Sequence, residues 1–168
     1  MNTTPRNASA TIGNEIAEIV EHIGQQAESR AYRASNELTN ATAFVLRGQR
    51  SGKVYNVPGT GSVKYNKRTN TATVTYKKYT ASAPGESPAV RTGVFRAGWK
   101  RRSYAERLNG SDRIIHAVTE NDQKVNNYLL GELLEYGTNR MAPRPYVEKV
   151  KAMALPKIVR IYSEPYQR

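Results

Sequence analysis

The chain has no cysteine, which excludes disulfides, thiolate metal sites and Cys–His nucleophile pairs and is compatible with a reducing compartment. Phenylalanine and tryptophan are scarce, two and one, against eleven tyrosines. Tyrosine joins an apolar ring to a polar tip, which suits interfaces as well as cores. No apolar run approaches the roughly 20 residues that span a bilayer, and residues 1–11 lack the apolar centre of a signal peptide. A soluble intracellular protein with no membrane partner is therefore expected. Acid is missing from one place in particular. Residues 62–102 hold ten Lys/Arg and a single acid, Glu86, and so carry +9 of the net +12. Such a segment suits either an acidic partner, nucleic acid or an acidic protein surface, or a solvated surface that aids solubility.

Catalytic motifs are also lacking. There is no HExxH, GxSxG, GxxxxGK[ST] or GxGxxG. His22 and His116 have no second histidine or carboxylate at metal-ligand spacing. Glu132 and Glu135 share a helix face, as acid/base pairs can, but solvation or pairing with Arg140 and Arg144 is the simpler reading. The expectation is a protein that is not an enzyme, with no metal and no cofactor.

A chain of 168 residues is the size of one domain. The patterning divides it into a flexible lead (1–11), a single α+β domain (12–162) and a flexible tail (163–168). Ile12, Ile16, Ile19, Ile23, Ala27, Ala34, Leu38, Ala41 and Val45 fall on steps of three and four, which predicts one long amphipathic helix over 12–47. Such a helix protrudes, packs on a copy of itself, or lies on a sheet, whole or as two helices broken near Ser29. Val63 and Tyr65, then Ala72, Val74 and Tyr76, alternate with polar residues. This predicts a β-hairpin turning at residues 66–70, apolar face on the core and Lys/Thr face outward. Residues 80–93 read as a long loop of the kind that carries function. Thr92 is a candidate N-cap for a short helix through Trp99, or residues 94–102 begin a strand. Residues 114–118 read as a strand. Leu129, Leu130, Leu133 and Leu134 suit a short helix stopped by Gly137. Pro145 suits the first position of a last helix, which Pro156 should kink or end. The expected fold is a long N-terminal helix, an antiparallel sheet with a projecting basic hairpin, and a C-terminal helix packed on the sheet.

Three segments carry a resemblance to a known family. Ala81–Ala97, ASAPGESPAVRTGVFRA, resembles an ASAPGE-P-P-x-x-TG-x-L-R-x-S pattern. Leu134-Glu135-Tyr136-Gly137-Thr138, then Arg144-Pro145-Tyr146-Val147, resembles L-E-[FY]-G-T … A-R-P-[FY]-[LMV]. Ser51-Gly52-Lys53-Val54-Tyr55 resembles SG-x-x-Y. In this order they are similar to the tail-completion, or head–tail joining, family of lambdoid phages, over about residues 51–155. Departures are Arg91 where the family is often acidic, the expanded segment Val57–Thr80, and the long first helix.

The resemblance implies a structural virion protein. It would form a ring, of six copies, between the head-closure (adaptor) ring and the tail tube protein, in a tail completion or terminator role. It would reside in the virion neck, and in the host cytoplasm during assembly. Pro84, Gly85, Thr92, Gly93, Glu135, Tyr136, Gly137, Thr138, Arg140, Arg144, Pro145 and Tyr146 would be folding and docking determinants, with Asn139 and Arg140 presented to a neighbour. Lys64, Lys67, Arg68, Lys77, Lys78, Lys100, Arg101 and Arg102 form the candidate basic interaction surface. DNA in the channel is a further candidate contact. A basic lumen would grip passing DNA, so the charge is expected to face acidic protein neighbours. The alternative is a basic nucleic-acid-binding protein.

Overall fold

Helix α1, Pro5–Val45, is the longest element, and the C-terminal helix and the longest strand pair lie against it. The computed structural model describes residues 5–108 and 112–167, an α+β chain. At 41 residues α1 is roughly 60 Å long. It begins at Pro5, so part of the expected lead is helical; a proline costs nothing in a first turn, where its missing N–H would have no partner.

The two halves of α1 differ. From Arg30 to Leu46 one face of the chain is covered, and small residues make this possible: Ala31, Ala34, Ser35, Ala41 and Thr42 are almost fully buried. The buried hydroxyls return to the helix backbone, Ser35 donating to Tyr32 O and Thr42 to Leu38 O, both at 2.8 Å. Helix α4, Val147–Tyr162, packs along this half. Residues 12–23 are exposed throughout, with Ile12, Ile16 and Ile19 each more than half exposed.

The strands form four separate antiparallel pairs and not one sheet: β1 (Val54–Asn56) with β4 (Lys78–Thr80), β2 (Ser62–Asn66) with β3 (Thr71–Thr75), β5 (Lys100–Leu108) with β6 (Asp112–Glu120), and β7 (Lys124–Val125) with β8 (Tyr128–Leu129). The segment between β4 and β5 contains Pro84 and Pro88, which have no N–H for a ladder. The β5–β6 pair lies against α1. Thr39 donates to Thr119 Oγ1 at 3.0 Å, Arg101 sits 5.2 Å over the Tyr32 ring, and Arg113 pairs with Glu28.

Two further expectations need correction. The β2–β3 pair turns where expected, with Asn70 at φ 49° and Asn66 Oδ1 accepting from Arg68 N–H, but its apolar face is not on the core: every residue of both strands is exposed. Alternation fixes which residues share a face and says nothing about what covers it. Helix α4 packs on α1, not on a sheet, because the alanines of α1 admit it. Pro156 lies inside α4 without ending it.

The expected frayed tail is held against α1 as far as Gln167. Arg30 donates to Pro165 O at 2.9 Å and stacks on Tyr166, Arg33 pairs with Glu164 at 2.6 Å, and Gln26 exchanges two bonds with Gln167. The Arg33 guanidinium beside Glu164 holds that carboxyl below the usual carboxylate range.

The core sits where α1, α4 and the loops converge. Ala41, Leu46, Tyr146, Val150 and Ala154 are its buried members. Phe95, Trp99 and Tyr146 meet mutually edge to face, with centroids 5.7, 6.0 and 5.9 Å apart, the arrangement that ring quadrupoles favour. Short helix α2, Val94–Ala97, supplies Phe95.

Little else is buried. The chain exposes 12873 Å², against about 8300 Å² for a compact monomer of this mass.

Candidate functional site

Helix α3, Leu130–Tyr136, ends at Gly137 with φ 78°. A Cβ there would lie 2.6 Å from Met141 O and 2.8 Å from Pro143 N, so only glycine fits. Thr138 and Met141 then exchange backbone bonds of 2.8 and 3.1 Å, closing a loop with Asn139 and Arg140 exposed at its tip. The chain returns through Arg144, whose N–H donates to Leu134 O at 2.8 Å. Pro145 stands two residues ahead of α4 instead of inside its first turn. Tyr146 is the N-cap residue and its side chain offers no cap. Glu135 does so instead: Oε2 accepts from the backbone N–H of Tyr146 at 2.8 Å and of Val147 at 3.2 Å. Among the described residues Glu135 makes no ion pair with Arg140 or Arg144. It neutralises donors that the first turn of α4 cannot satisfy.

The loop 81–90 is fastened to this corner by four bonds. Gly85 N–H donates to Pro143 O, Ser87 Oγ to Pro145 O and Lys149 Nζ to Gly85 O, each at 3.2 Å, while Arg144 donates to Ser82 Oγ at 2.6 Å. Ser82 and Ser87 are buried, so their hydroxyls need these partners. The third segment joins through Glu86, which accepts from Ser51 Oγ at 2.6 Å, Ala83 N–H at 2.8 Å and Ser51 N–H at 3.1 Å. Those hydrogen bonds, with a smaller effect of Arg50, pull its pKa down to about 2. The three segments singled out in the sequence therefore meet in one clasp. Most of its hydrogen bonds reach backbone groups, and two, Arg144 to Ser82 and Ser51 to Glu86, join side chains.

Burial, helped by the nearby Glu135 and Glu132 carboxylates, pushes the Tyr146 hydroxyl up to about 12. Tyr136, by contrast, is 78% exposed. Pro84 is exposed, and Gly85 and Gly93 take positive φ, 79° and 84°. Gly93 and not Thr92 is the N-cap of α2; Thr92 Oγ1 only receives a long 3.5 Å bond from Val94 N–H. Beside the clasp lies a cleft of about 720 Å³ whose lining includes Lys53, Tyr55, Tyr79, Arg91, Arg96 and Arg144 and no acid.

The basic residues divide in two. Lys100 pairs with Asp122 and Arg102 with Glu120, at 3.8 and 3.7 Å, and Arg101 covers Tyr32. Lys64, Lys67, Arg68, Lys77 and Lys78 are exposed, and none makes an ion pair among the described residues. Sequence reasoning grouped the eight together because cross-strand acids, such as Glu120 opposite Lys100, are visible only in the register. It also missed the capping role of Glu135, whose partners lie eleven and twelve residues away. The spacing E-x10-Y was the only signal available.

Among the described residues, no three His, Asp or Glu are grouped to hold a metal ion, and no helix is long and apolar enough to cross a membrane. Compared with known proteins, the chain matches no family model, and no curated protein or solved structure is similar to it.

Proposed function

We propose that the chain is a ring-forming structural subunit of a phage neck, joining the head-closure ring to the tail tube in a tail completion role. The observation that carries the reading is the clasp. The motif segments near residues 51, 86 and 144 are bonded to one another, and their polar groups are consumed in fixing the chain's shape. Such a use suits a scaffold.

The second support is the exposed surface, about half as large again as that of a compact monomer. Exposed Tyr136 and Arg140 on the corner are residue types favoured at interfaces. Deleting the gene tests the reading. DNA-filled heads and separate, unjoined tails should accumulate, and normal particles from the deletion would overturn it.

The unpaired hairpin cations favour a second reading, a nucleic-acid-binding protein. Five phosphate contacts would give log K a slope of roughly −4.5 against log salt. Failure to retain duplex DNA at low salt would end that reading.

A further inference from the structure

Among the described residues, the N-terminal part of α1 and the β2–β3 hairpin each leave an apolar face uncovered, and their charges are opposite. On α1, Ile12, Ile16, Ile19 and Ile23 follow steps of four, three and four, the spacing of a helix–partner seam. Between residues 12 and 25 the helix carries Glu15, Glu18 and Glu21 and no Lys or Arg. On the β2–β3 hairpin, the register pairs Val63 with Val74 and Tyr65 with Ala72 on one face. Val63, Tyr65 and Val74 are 67%, 59% and 49% exposed. Residues 62–80 carry five cations and no acid. A two-stranded hairpin is marginal in water by itself and needs something against its apolar face.

We infer that the exposed limb of α1 in one copy docks on the apolar face of the β2–β3 hairpin in the next copy, a head-to-tail contact. The occupant is a second copy because a single chain offers both halves: an acidic apolar helix and a basic apolar strand pair. Area agrees. A stable interface buries about 800 Å² per partner, and a subunit in a head-to-tail chain needs two. Twice that area fits within the roughly 4500 Å² by which this chain exceeds a compact monomer. Because the two patches differ, the contact is heterologous and propagates to a ring or a filament, instead of closing as a dimer. The inference deepens the neck reading by naming the subunit contact, and rests on it for the closure of the ring.

The absence of cysteine makes the test direct. A chain carrying both Ile16→Cys and Val74→Cys should, on mild oxidation, give a ladder of covalent multimers. A mixture of the two single variants should give one heterodimer, and I16C alone less than roughly a tenth of that yield. Reversing E15K/E18K/E21K, or K64E/K67E/R68E/K77E/K78E, should cut the cross-linked fraction roughly tenfold at low salt, and mixing the two reversed chains should restore it. Circular dichroism of each variant checks that it is folded.

The inference falls if I16C alone cross-links as well as the pair, which would mean helix-on-helix pairing. It falls equally if the doubly substituted chain closes on itself, or if no link forms. It also falls if no link forms while hairpin reversal abolishes binding of a short DNA duplex. A ladder together with normal particles from the gene deletion would keep the contact and discard the neck reading. Unjoined heads and tails without a ladder would do the opposite.

Discussion

Glu135 Oε2 receives the backbone protons of both Tyr146 and Val147, at 2.8 and 3.2 Å, so the last residues of α3 fix the first turn of α4. The cap and the packed ring of Tyr146 act on the same peptide. Glu135→Ala should lower stability by about 1–2 kcal/mol, in line with a lost helix cap. Glu135→Gln keeps an acceptor oxygen and loses only the charge, so it should cost less. Urea unfolding of the two variants against the parent checks the order.

Gly59 and Gly137 have nearly the same φ, 74° and 78°, but only Gly137 is crowded by backbone atoms. Gly59→Ala should cost about 1 kcal/mol, the left-handed penalty alone. Gly137→Ala should cost more than about 3 kcal/mol, because φ 78° with ψ −172° is a region open only to glycine and because Met141 O and Pro143 must also move. Thermal unfolding of the two variants checks the order.

Acid should loosen the clasp. Folding lowers the pKa of Glu86 from 4.5 to about 2, so the folded state binds fewer protons than the unfolded chain between those values. The contribution of Glu86 is complete above pH 4.5 and is lost as the pH falls toward 2. Stability measured against pH should therefore fall less steeply over that window in Glu86→Gln than in the parent. Equal slopes would remove Glu86 from the account.

Alkali acts on the other end of the corner. Tyr146 is raised from 10 to about 12, so its contribution is complete below pH 10 and is lost as the pH rises through 12. The loss is on the order of 2 kcal/mol. Tyr146→Phe should remove that part of the alkaline decline, as followed by tyrosinate absorbance alongside unfolding.

Cutting the chain after Ser163 removes Pro165 O and the Tyr166 ring from Arg30, which is 4% exposed. The truncation should cost about 1–2 kcal/mol. Hydrogen exchange in α1 should quicken near Gln26–Arg33 and stay unchanged near Leu46.

Much of this fold is legible in the sequence, and the parts that are not share a cause. The apolar steps from Ile12 to Val45 announce α1, and alternation from Val63 to Val74 announces the hairpin, because both are local periodicities. Strand β5 extends well past Arg102 through SYAERL, a run without apolar alternation. Its strand character comes from pairing residue by residue with β6. Nothing local says that α4 would choose the alanines of α1 over a sheet, or that Arg30 would hold the chain's last residues. In the clasp, the sequence marks the three segments, but the bonds between Ser82 and Arg144 or Glu86 and Ser51 join residues 62 and 35 positions apart. Such bonds are products of the fold.

The bare end of α1 also has a hydrodynamic consequence. Residues 12–23 extend for roughly 18 Å as a rod with every side chain but its glycine's in contact with solvent. A rod adds friction without adding mass. The 18.8 kDa chain should therefore leave a sizing column ahead of a compact protein of equal mass, and sediment more slowly than one. Cutting back the limb should shift both measurements toward the compact value.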